Sequence, residues 1–442
     1  MRLLKESTIY LLVNNIANNY NIRNFSIKNV ISIMHFLLQF GVLFYILLFP
    51  FGQALREITS IVAITGALGI YILDYQNLNI KKIPIKYVFF IFFSYLIFKA
   101  FYSIDIDRSL DALQNISYDS LLLILAGIEF TRRKADYKLA IIACTITLTI
   151  LGYDALYQYT TGYDIFKHYP MRGSCTTASM ELPHLGTLSG VLLPLTFGYP
   201  LIVTKWNNIK SYFLWCIFSL LPILFFIITS ERRSAWIGLM FALCFYLIFV
   251  YRYKAFWTLA ALFLISIPTN IFDFLLKQLW NDPRWIVWNY GFDIFPKKLW
   301  LGHGIHSFKS ALKQYGLGEK LNHDLFIACG TKFSSIFDSP HNIYLGFLID
   351  GGIIGLMLFL LFSFSCLLII LKTSKKINKT DPLFSKLLLC GATCYISYLG
   401  AAITGLDFYK TWMLGPPILI LGITLGALLV ASPNTPARKT KI

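Results

Sequence analysis

Residues 341–371 read HNIYLGFLIDGGIIGLMLFLLFSFSCLLIIL, an apolar run that contains a single charged side chain, Asp350. A helix needs about 20 consecutive apolar residues to cross a bilayer. Runs of this kind recur along the 442-residue chain, which is 57% hydrophobic and only 14% charged. Soluble domains rarely have so few charges. The sequence therefore predicts an all-α polytopic membrane protein.

Hydropathy and span length predict about twelve membrane-spanning helices. Their approximate limits are 30–49, 56–74, 87–104, 117–131, 139–157, 186–203, 211–229, 234–251, 255–272, 341–371, 384–404 and 413–431. The predicted organisation is an N-terminal segment 1–29, spans 1–9 over 30–272, a large helical loop 273–340 with an interfacial helix, spans 10–12 over 341–431, and a tail 432–442. A loop this long is usually functional when it is ordered.

Lys and Arg residues predict the orientation of the chain, because they cluster on alternate loops without a break in register. The positive-inside rule places these clusters in the cytoplasm. Both termini are then cytoplasmic, and the outer loops are 50–55, 105–116, 158–185, 230–233, 273–340 and 405–412. Since the net charge of +17 comes from these clusters, it does not indicate a nucleic-acid partner.

The first candidate functional segment is SERRSAW, residues 230–236. It joins two predicted spans so tightly that Arg232 and Arg233 must lie at the bilayer boundary. One interpretation is that both side chains extend along the bilayer boundary so that their charged ends lie in the polar interface. The positive-inside rule, however, disfavours arginine on the outer side. The alternative is that these arginines bind an anion.

The second candidate segment is NDPRW, residues 281–285. Asp282 before Pro283 predicts a helix N-cap followed by proline at the first helical position. One face of the helix carries four aromatic side chains that we expect in the membrane interface: Trp285, Trp288, Phe292 and Phe295. A cation in the first turn opposes the helix dipole, so Arg284 indicates a bound anion. The alternative is a surface arginine paired with Asp282 or another carboxylate.

The third candidate segment is SPHNIYL, residues 339–345. Ser339 is the predicted N-cap, with Pro340 at the first position and His341 in the first turn. A helix N-terminus disfavours imidazolium, so His341 is expected to be neutral and available as a base. A histidine at a helix start is otherwise often structural. The functional interpretation gains from three outer helix starts that each offer an Arg or a His.

Several weaker signals complete the survey. Residues 302–304, Gly-His-Gly, predict a tight turn. Gly351, Gly352 and Gly355 predict close helix packing or a kink in the tenth span. His303, His306 and His323 are irregularly spaced, and we predict neither a metal site nor a cofactor. Cys175 and Cys329 lie in outer loops, where they either form a disulfide or remain two separate thiols.

These candidates suit chemistry on a membrane-bound phosphate. Arginines and helix N-termini bind phosphate or pyrophosphate, and a neutral histidine deprotonates an attacking hydroxyl. Neither a glycosidase-type carboxylate pair nor a Gly-rich phosphate loop is evident. Nucleotide donors are absent on the outer side, so a polyprenyl-pyrophosphate-linked glycan is the predicted donor.

The combination resembles the O-antigen ligase/polymerase superfamily of bacterial envelope glycan transferases, and most closely the O-antigen ligases. The resemblance lies in residues 230–236, 284–295, 301–308 and 339–355, in their order and spacing, and in the long loop between the ninth and tenth spans. It implies a GT-C-like membrane enzyme at the periplasmic face of the inner membrane. Such an enzyme transfers a glycan from undecaprenyl pyrophosphate to a hydroxyl of lipid A–core without a metal.

The resemblance also implies roles for individual residues. His341 would activate the acceptor hydroxyl, and Arg233 and Arg284 would bind pyrophosphate. The family is expected to have one arginine where this chain has two; Arg233, next to Ser234-Ala235, matches better, and Arg232 stays an alternative. Arg172 is a further candidate donor-binding arginine. Asn342, beside His341, is a candidate substrate-binding residue.

Three other functions remain open at this stage. An O-antigen polymerase shares the topology and the arginines, and a protein oligosaccharyltransferase belongs to the same superfamily. A flippase or transporter of polysaccharide also suits twelve spans with both ends inside. The short connection 204–210 and the scarcity of charges within spans argue against transport, with Asp350 as the main exception.

Overall fold

The computed structural model describes residues 27–180, 184–203, 209–252, 254, 282–329, 337–405, 408 and 411–431. These residues form helices and loops, with two isolated β-bridges and no sheet among them. The helices are α1 (Ile27–Leu48), α2 (Gln53–Leu73), α3 (Lys86–Phe101), α4 (Ile106–Ile116), α5 (Leu123–Phe130), α6 (Lys134–Thr161), α7 (His184–Val203), α8 (Ile209–Thr229), α9 (Arg233–Tyr251), α10 (Arg284–Ile294), α11 (Phe308–Gln314), α12 (Gly318–Cys329), α13 (Ile343–Ile377), α14 (Pro382–Ala401) and α15 (Thr411–Ala431).

Nine helices in the described part of the chain are long and apolar enough to cross a bilayer. They are α1, α2, α6, α7, α8, α9, α13, α14 and α15. A tenth results if α3 and the preceding bent segment Tyr75–Lys82 are counted as one span. The all-α polytopic architecture predicted from the sequence is thereby confirmed. The predicted ninth span, 255–272, lies outside the described residues.

The predicted third and fourth spans differ from simple transmembrane helices. α3 meets the segment Tyr75–Lys82 at a bend of 90°. α5 is too short to span a bilayer by itself, and a π-helical segment, Ser117–Leu122, connects it to α4. The outer loop predicted at 105–116 is therefore mostly helical. It forms a helix because the Asp105 side chain caps α4 by accepting the Arg108 amide.

Small residues let α7 pack tightly against the turn between α8 and α9. A side chain on Gly186 would overlap Ser230, and one on Gly190 would lie 2.7 Å from Cβ of Ala235. Small residues at membrane helix interfaces allow this close approach of backbones. The packing holds the turn that carries Arg232 and Arg233 in a defined position.

A kink in α13 provides the attachment point for the long loop 273–340. Gly352 has φ 65° and ψ −166°, a backbone conformation that only glycine adopts readily. Two loop amides then bond to the carbonyls before the kink, His303 N to Ile349 O and Gly304 N to Asp350 O, both at 2.9 Å. The kink and the tight turn predicted from the glycines are both confirmed.

The described part of loop 273–340 is helical, as predicted, and α10, α11 and α12 pack around a hydrophobic core of their own. The aromatic face of α10 is only partly exposed, and its position in the membrane interface stays a prediction. Trp288 is 9% exposed and packs into this core with Phe295, whereas Trp285 and Phe292 are 40% and 54% exposed. Contacts with α13 explain the difference, because they bury the inner half of the face.

Candidate functional site

The short turn between α8 and α9 places two arginines side by side. Arg232 is the N-cap residue of α9 and Arg233 is its first helical residue. The preceding Glu231 has φ 53°, a left-handed conformation that costs a non-glycine residue about 1 kcal/mol or more. Its carboxylate accepts a 2.9 Å hydrogen bond from Ser174 Oγ. Both arginines after this strained residue lie near the start of α10. Arg233 pairs there with Asp282, and Arg232 is close enough to feel the charge of Arg284.

Asp282 connects the arginines of two segments that are distant in the sequence. Its Oδ2 lies 2.9 Å from Arg233 Nη1 and 3.4 Å from Arg284 Nη1. Its Oδ1 accepts the Arg284 amide at 3.0 Å. The N-cap residue of α10 is Pro283, however, so the prediction of Asp282 as N-cap with Pro283 at the first helical position is wrong by one residue. Both guanidinium groups therefore converge on one carboxylate at the N-terminus of α10.

Two further arginines approach the same place. Burial lowers the pKa of Arg232, and the positive charges of Arg284 and Arg172 lower this pKa further. Arg172 lies in a loop between α6 and α7 that is held against α8 by Thr176, whose amide donates to Thr229 O at 3.0 Å. The structure therefore brings together all four arginines that the sequence singled out. A surplus of positive charge of this kind attracts anions.

The loop that carries His341 adopts a conformation that the sequence did not predict. His341 has φ 51° and precedes the helix, and its ring packs edge-on against Phe337 with centroids 5.8 Å apart. Asn342 is the N-cap of α13, because its Oδ1 accepts the Leu345 amide at 3.0 Å. The prediction of Ser339 as N-cap is wrong. The Oγ of Ser339 is buried and makes no hydrogen bond within the described residues.

α10 connects the arginines to the His341 loop. Arg284 begins the helix, and Trp288 follows about one turn, or roughly 6 Å, further along it. The indole Nε1 of Trp288 donates a 2.9 Å hydrogen bond to the carbonyl of Pro340, the residue before His341. α10 thus holds both Arg284, which is predicted to bind an anion, and the loop that carries the predicted base His341.

A narrow pocket next to His341 is lined by side chains that sequence reasoning did not select. Its lining includes His306, Asp338 and Asp350 beside His341 and Asn342. Arg108, on α4, contacts this rim through Asp338. No local signal marked Arg108, because it lies almost two hundred positions before the loop it meets.

The three loop histidines have separate roles in the structure. His303 is buried and contacts Ile349 O and Tyr315 OH, both at 3.1 Å. His306 Nε2 lies 3.3 Å from Arg108, and the exposed His323 lies beside Asp324. Within the part of the chain that the structure describes, no group of three His, Cys, Asp or Glu residues is arranged to hold a metal ion.

Cys175 carries a free thiol, so it is not in a disulfide with Cys329. Burial raises the pKa of this thiol, and the neighbouring Glu231 carboxylate raises the pKa further. The contact with Glu231 again places the Arg172 loop against the turn between α8 and α9. The side chain of Cys329 lies outside the described residues.

A comparison with known proteins finds a family that covers part of the candidate site. Residues 218–360 match the family model described as O-antigen ligase. The match supports the resemblance to the O-antigen ligase/polymerase superfamily for this segment. The O-antigen ligase match begins in α8 and ends in α13, so it includes Arg233, Arg284 and His341. No curated protein matches the chain.

The matched segment does not contain every residue of the site. Arg172 and Arg108 both lie before residue 218, in the part of the chain that the O-antigen ligase model does not cover. Arg172 is placed near the matched arginines, and Arg108 near the matched His341 loop, by tertiary contacts. The site is thus assembled from both halves of the chain.

Proposed function

We propose that the protein is an O-antigen ligase-type glycosyltransferase of the bacterial inner membrane. It transfers a glycan from undecaprenyl pyrophosphate to a hydroxyl of lipid A–core at the periplasmic face. The observation that carries the proposal is the convergence of Arg233 and Arg284 on Asp282, on the same helix that supports the His341 loop. The family match of residues 218–360 supports the same class of enzyme.

The arginines supply the binding site for the donor. Guanidinium groups bind phosphate oxygens through paired N–H donors, and the N-terminus of α10 adds its own partial positive charge. In the proposed complex, pyrophosphate contacts Arg233 and Arg284, while Arg232 and Arg172 complete the positive surface. As the donor bond breaks, negative charge grows on the leaving pyrophosphate, so these contacts strengthen in the transition state.

His341 acts as the general base in the proposed reaction. A hydroxyl oxygen of the acceptor attacks the anomeric carbon of the donor glycan, and the bond between that carbon and the pyrophosphate oxygen breaks. The hydroxyl proton moves to the imidazole of His341, and the bonding electrons leave with undecaprenyl pyrophosphate. Asn342, as the cap of α13, positions His341 at the helix start.

Asp350 supports an enzyme rather than an ion-coupled transporter. A carboxylate within a span is a candidate element of a transport pathway. Here its oxygens accept the amides of His306 and Ser307 at 3.0 and 3.1 Å, and the Ser307 hydroxyl at 3.1 Å. These hydrogen bonds anchor the outer loop at the kink of α13, which gives Asp350 a structural role.

Deletion of the gene tests the proposed function against its nearest alternative. A ligase deletion leaves long glycan chains on the lipid carrier and none on lipid A–core. A polymerase deletion instead leaves a single repeat on the core. A transporter deletion leaves the glycan on the cytoplasmic side, where periplasmic enzymes do not reach it. Either of the last two outcomes contradicts the proposed ligase activity.

Two substitutions of His341 separate its chemistry from its backbone. His341→Ala is expected to abolish transfer, and His341→Asn provides the control, because asparagine accepts the left-handed conformation seen here. The asparagine variant should insert and accumulate normally and still be inactive. Arg284→Lys should lose about 100-fold in kcat, since lysine lacks the planar guanidinium. Near-normal turnover of the asparagine variant would refute the role of His341.

The proposed mechanism requires no metal, because His341 and the arginines supply the base and the positive charge. The purified enzyme is expected to keep its activity in excess EDTA. The measurement is transfer from a lipid-linked donor to lipid A–core before and after chelation. Loss of activity that one divalent ion restores would contradict this mechanism.

A further inference from the structure

A second group of cations contacts the His341 loop through Asp338. Nη2 of Arg108, on α4, and Nζ of Lys309, on α11, are each 3.1 Å from the same oxygen, Oδ1 of Asp338. Asp338 precedes His341 by three residues and lines the same pocket. None of these three residues was selected from the sequence, and the donor site described above does not use them.

Arg108 and Lys309 share one carboxylate oxygen of Asp338, and the Asp105 carboxylate also interacts electrostatically with Arg108. The side chains of Arg108 and Lys309 are 21% and 24% exposed, whereas that of Asp338 is 59% exposed. The carboxylate therefore covers the cations from the solvent side. Because Asp338 itself is mostly exposed, it can move into solvent and another anion can take its place against the two cations.

Two details of Arg108 show that Asp338 does not satisfy it fully. The Nε–H group is buried and has no hydrogen-bond partner among the described residues. A guanidinium nitrogen lies 3.3 Å from His306 Nε2, which must accept the hydrogen bond in an uncharged ring, because guanidinium only donates. His306 therefore adds no negative charge to the group.

The His341 loop is connected to both cation groups. Trp288 joins it to α10, which carries Arg284 of the proposed donor site. Asp338 joins it to Arg108 and Lys309. A base that activates an acceptor hydroxyl needs the acceptor bound within reach, on the side away from the leaving group.

We propose that Arg108 and Lys309 bind an anionic group, a phosphate or carboxylate, of the acceptor glycolipid. This anion takes the place of the Asp338 carboxylate and brings the acceptor hydroxyl to His341. The inference rests on the proposed function and extends it, since it assigns the acceptor subsite to residues outside the donor arginines. Arg108 also lies outside the segment that matches the family.

The test measures both substrates separately with purified full-length protein. In transfer assays with lipid-linked donor and lipid A–core, Arg108→Gln and Lys309→Gln should each raise the acceptor KM at least about tenfold and leave the donor KM unchanged. Arg108→Lys should keep most of the acceptor affinity because it keeps the charge. Lys320→Gln removes an exposed charge from the neighbouring helix α12 and serves as the matched control.

A second arm identifies the anion. Binding of lipid A–core in the absence of donor should weaken when its phosphates are removed enzymatically, and the difference should vanish in Arg108→Gln. Equal changes of donor and acceptor KM, or an unchanged acceptor KM, would overturn the inference. Displacement of lipid A–core by phosphatidylglycerol at equal concentration would also overturn it, because the cations would then hold a membrane headgroup. Failure of the wild-type protein to transfer any glycan contradicts the proposed function instead.

Discussion

At the scale of single residues, Asp282 decides how the donor site is organised. Two guanidinium groups that share one carboxylate oxygen lie a few ångströms apart, and their repulsion is about 3 kcal/mol at an effective dielectric constant near 20. Asp282 offsets this repulsion, and its Oδ1 also accepts the Arg284 amide in the first turn of α10. The carboxylate occupies the place where a phosphate oxygen would bind, so it competes with the donor as well as arranging its ligands.

The variant Asp282→Asn separates these two effects. Asparagine caps a helix as well as aspartate does, so α10 should be retained while the negative charge is lost. With less competition, inorganic pyrophosphate should inhibit transfer at an about tenfold lower concentration than in the wild type. The control is Asp293→Asn, an exposed carboxylate on the same helix. Equal inhibition of both variants would show that Asp282 has only a capping role.

At the scale of elements, α10 transmits the position of the donor arginines to the catalytic loop. Its N-terminus holds Arg284, and its next turn holds Trp288 against Pro340 O. Contacts of Trp288 with the hydrophobic core of the outer loop keep the helix in place. A small rotation of this helix would therefore separate the donor from His341.

Removal of one hydrogen bond tests this coupling. Trp288→Phe keeps an aromatic ring in the core and deletes the N–H group that binds Pro340 O. We expect kcat to fall about tenfold, a typical cost of losing one buried hydrogen bond, with the donor KM unchanged. Trp285→Phe deletes the same group from an exposed side chain and serves as the control. A change in donor KM without a change in kcat would contradict the coupling.

At the scale of the whole molecule, the two cation groups require the outer loop to face the periplasm. The alternation of basic clusters predicts this orientation. Reporter fusions at residues 208 and 376 should give cytoplasmic signals, and a fusion at residue 310 should give a periplasmic signal. A cytoplasmic signal at residue 310 would remove the basis for a lipid-linked donor, because the site would then face nucleotide sugars.

Only part of the candidate site can be predicted from the sequence. The sequence points to Arg233, Arg284 and His341 because each lies at or next to a predicted helix start on the predicted outer side. Arg108 and Asp338 were not recognised, because their meaning depends on a contact between residues 230 positions apart. Neither periodicity nor spacing reports contacts of that range.

The amino-acid sequence by itself determined that this is a multi-span helical protein and where most spans begin and end. Hydropathy is a sum over adjacent residues, and a bilayer acts on each span separately, so local information suffices. The tertiary structure alone decided which residues meet. Ser339 and Asn342 are equally suited to cap a helix, and Asn342 does so where the Ile343 amide bonds to Ala402 O across the helix interface. In the same way, only the folded chain joins Arg233 to Asp282 and Arg284, because two segments distant in the sequence must be folded before their charges can interact.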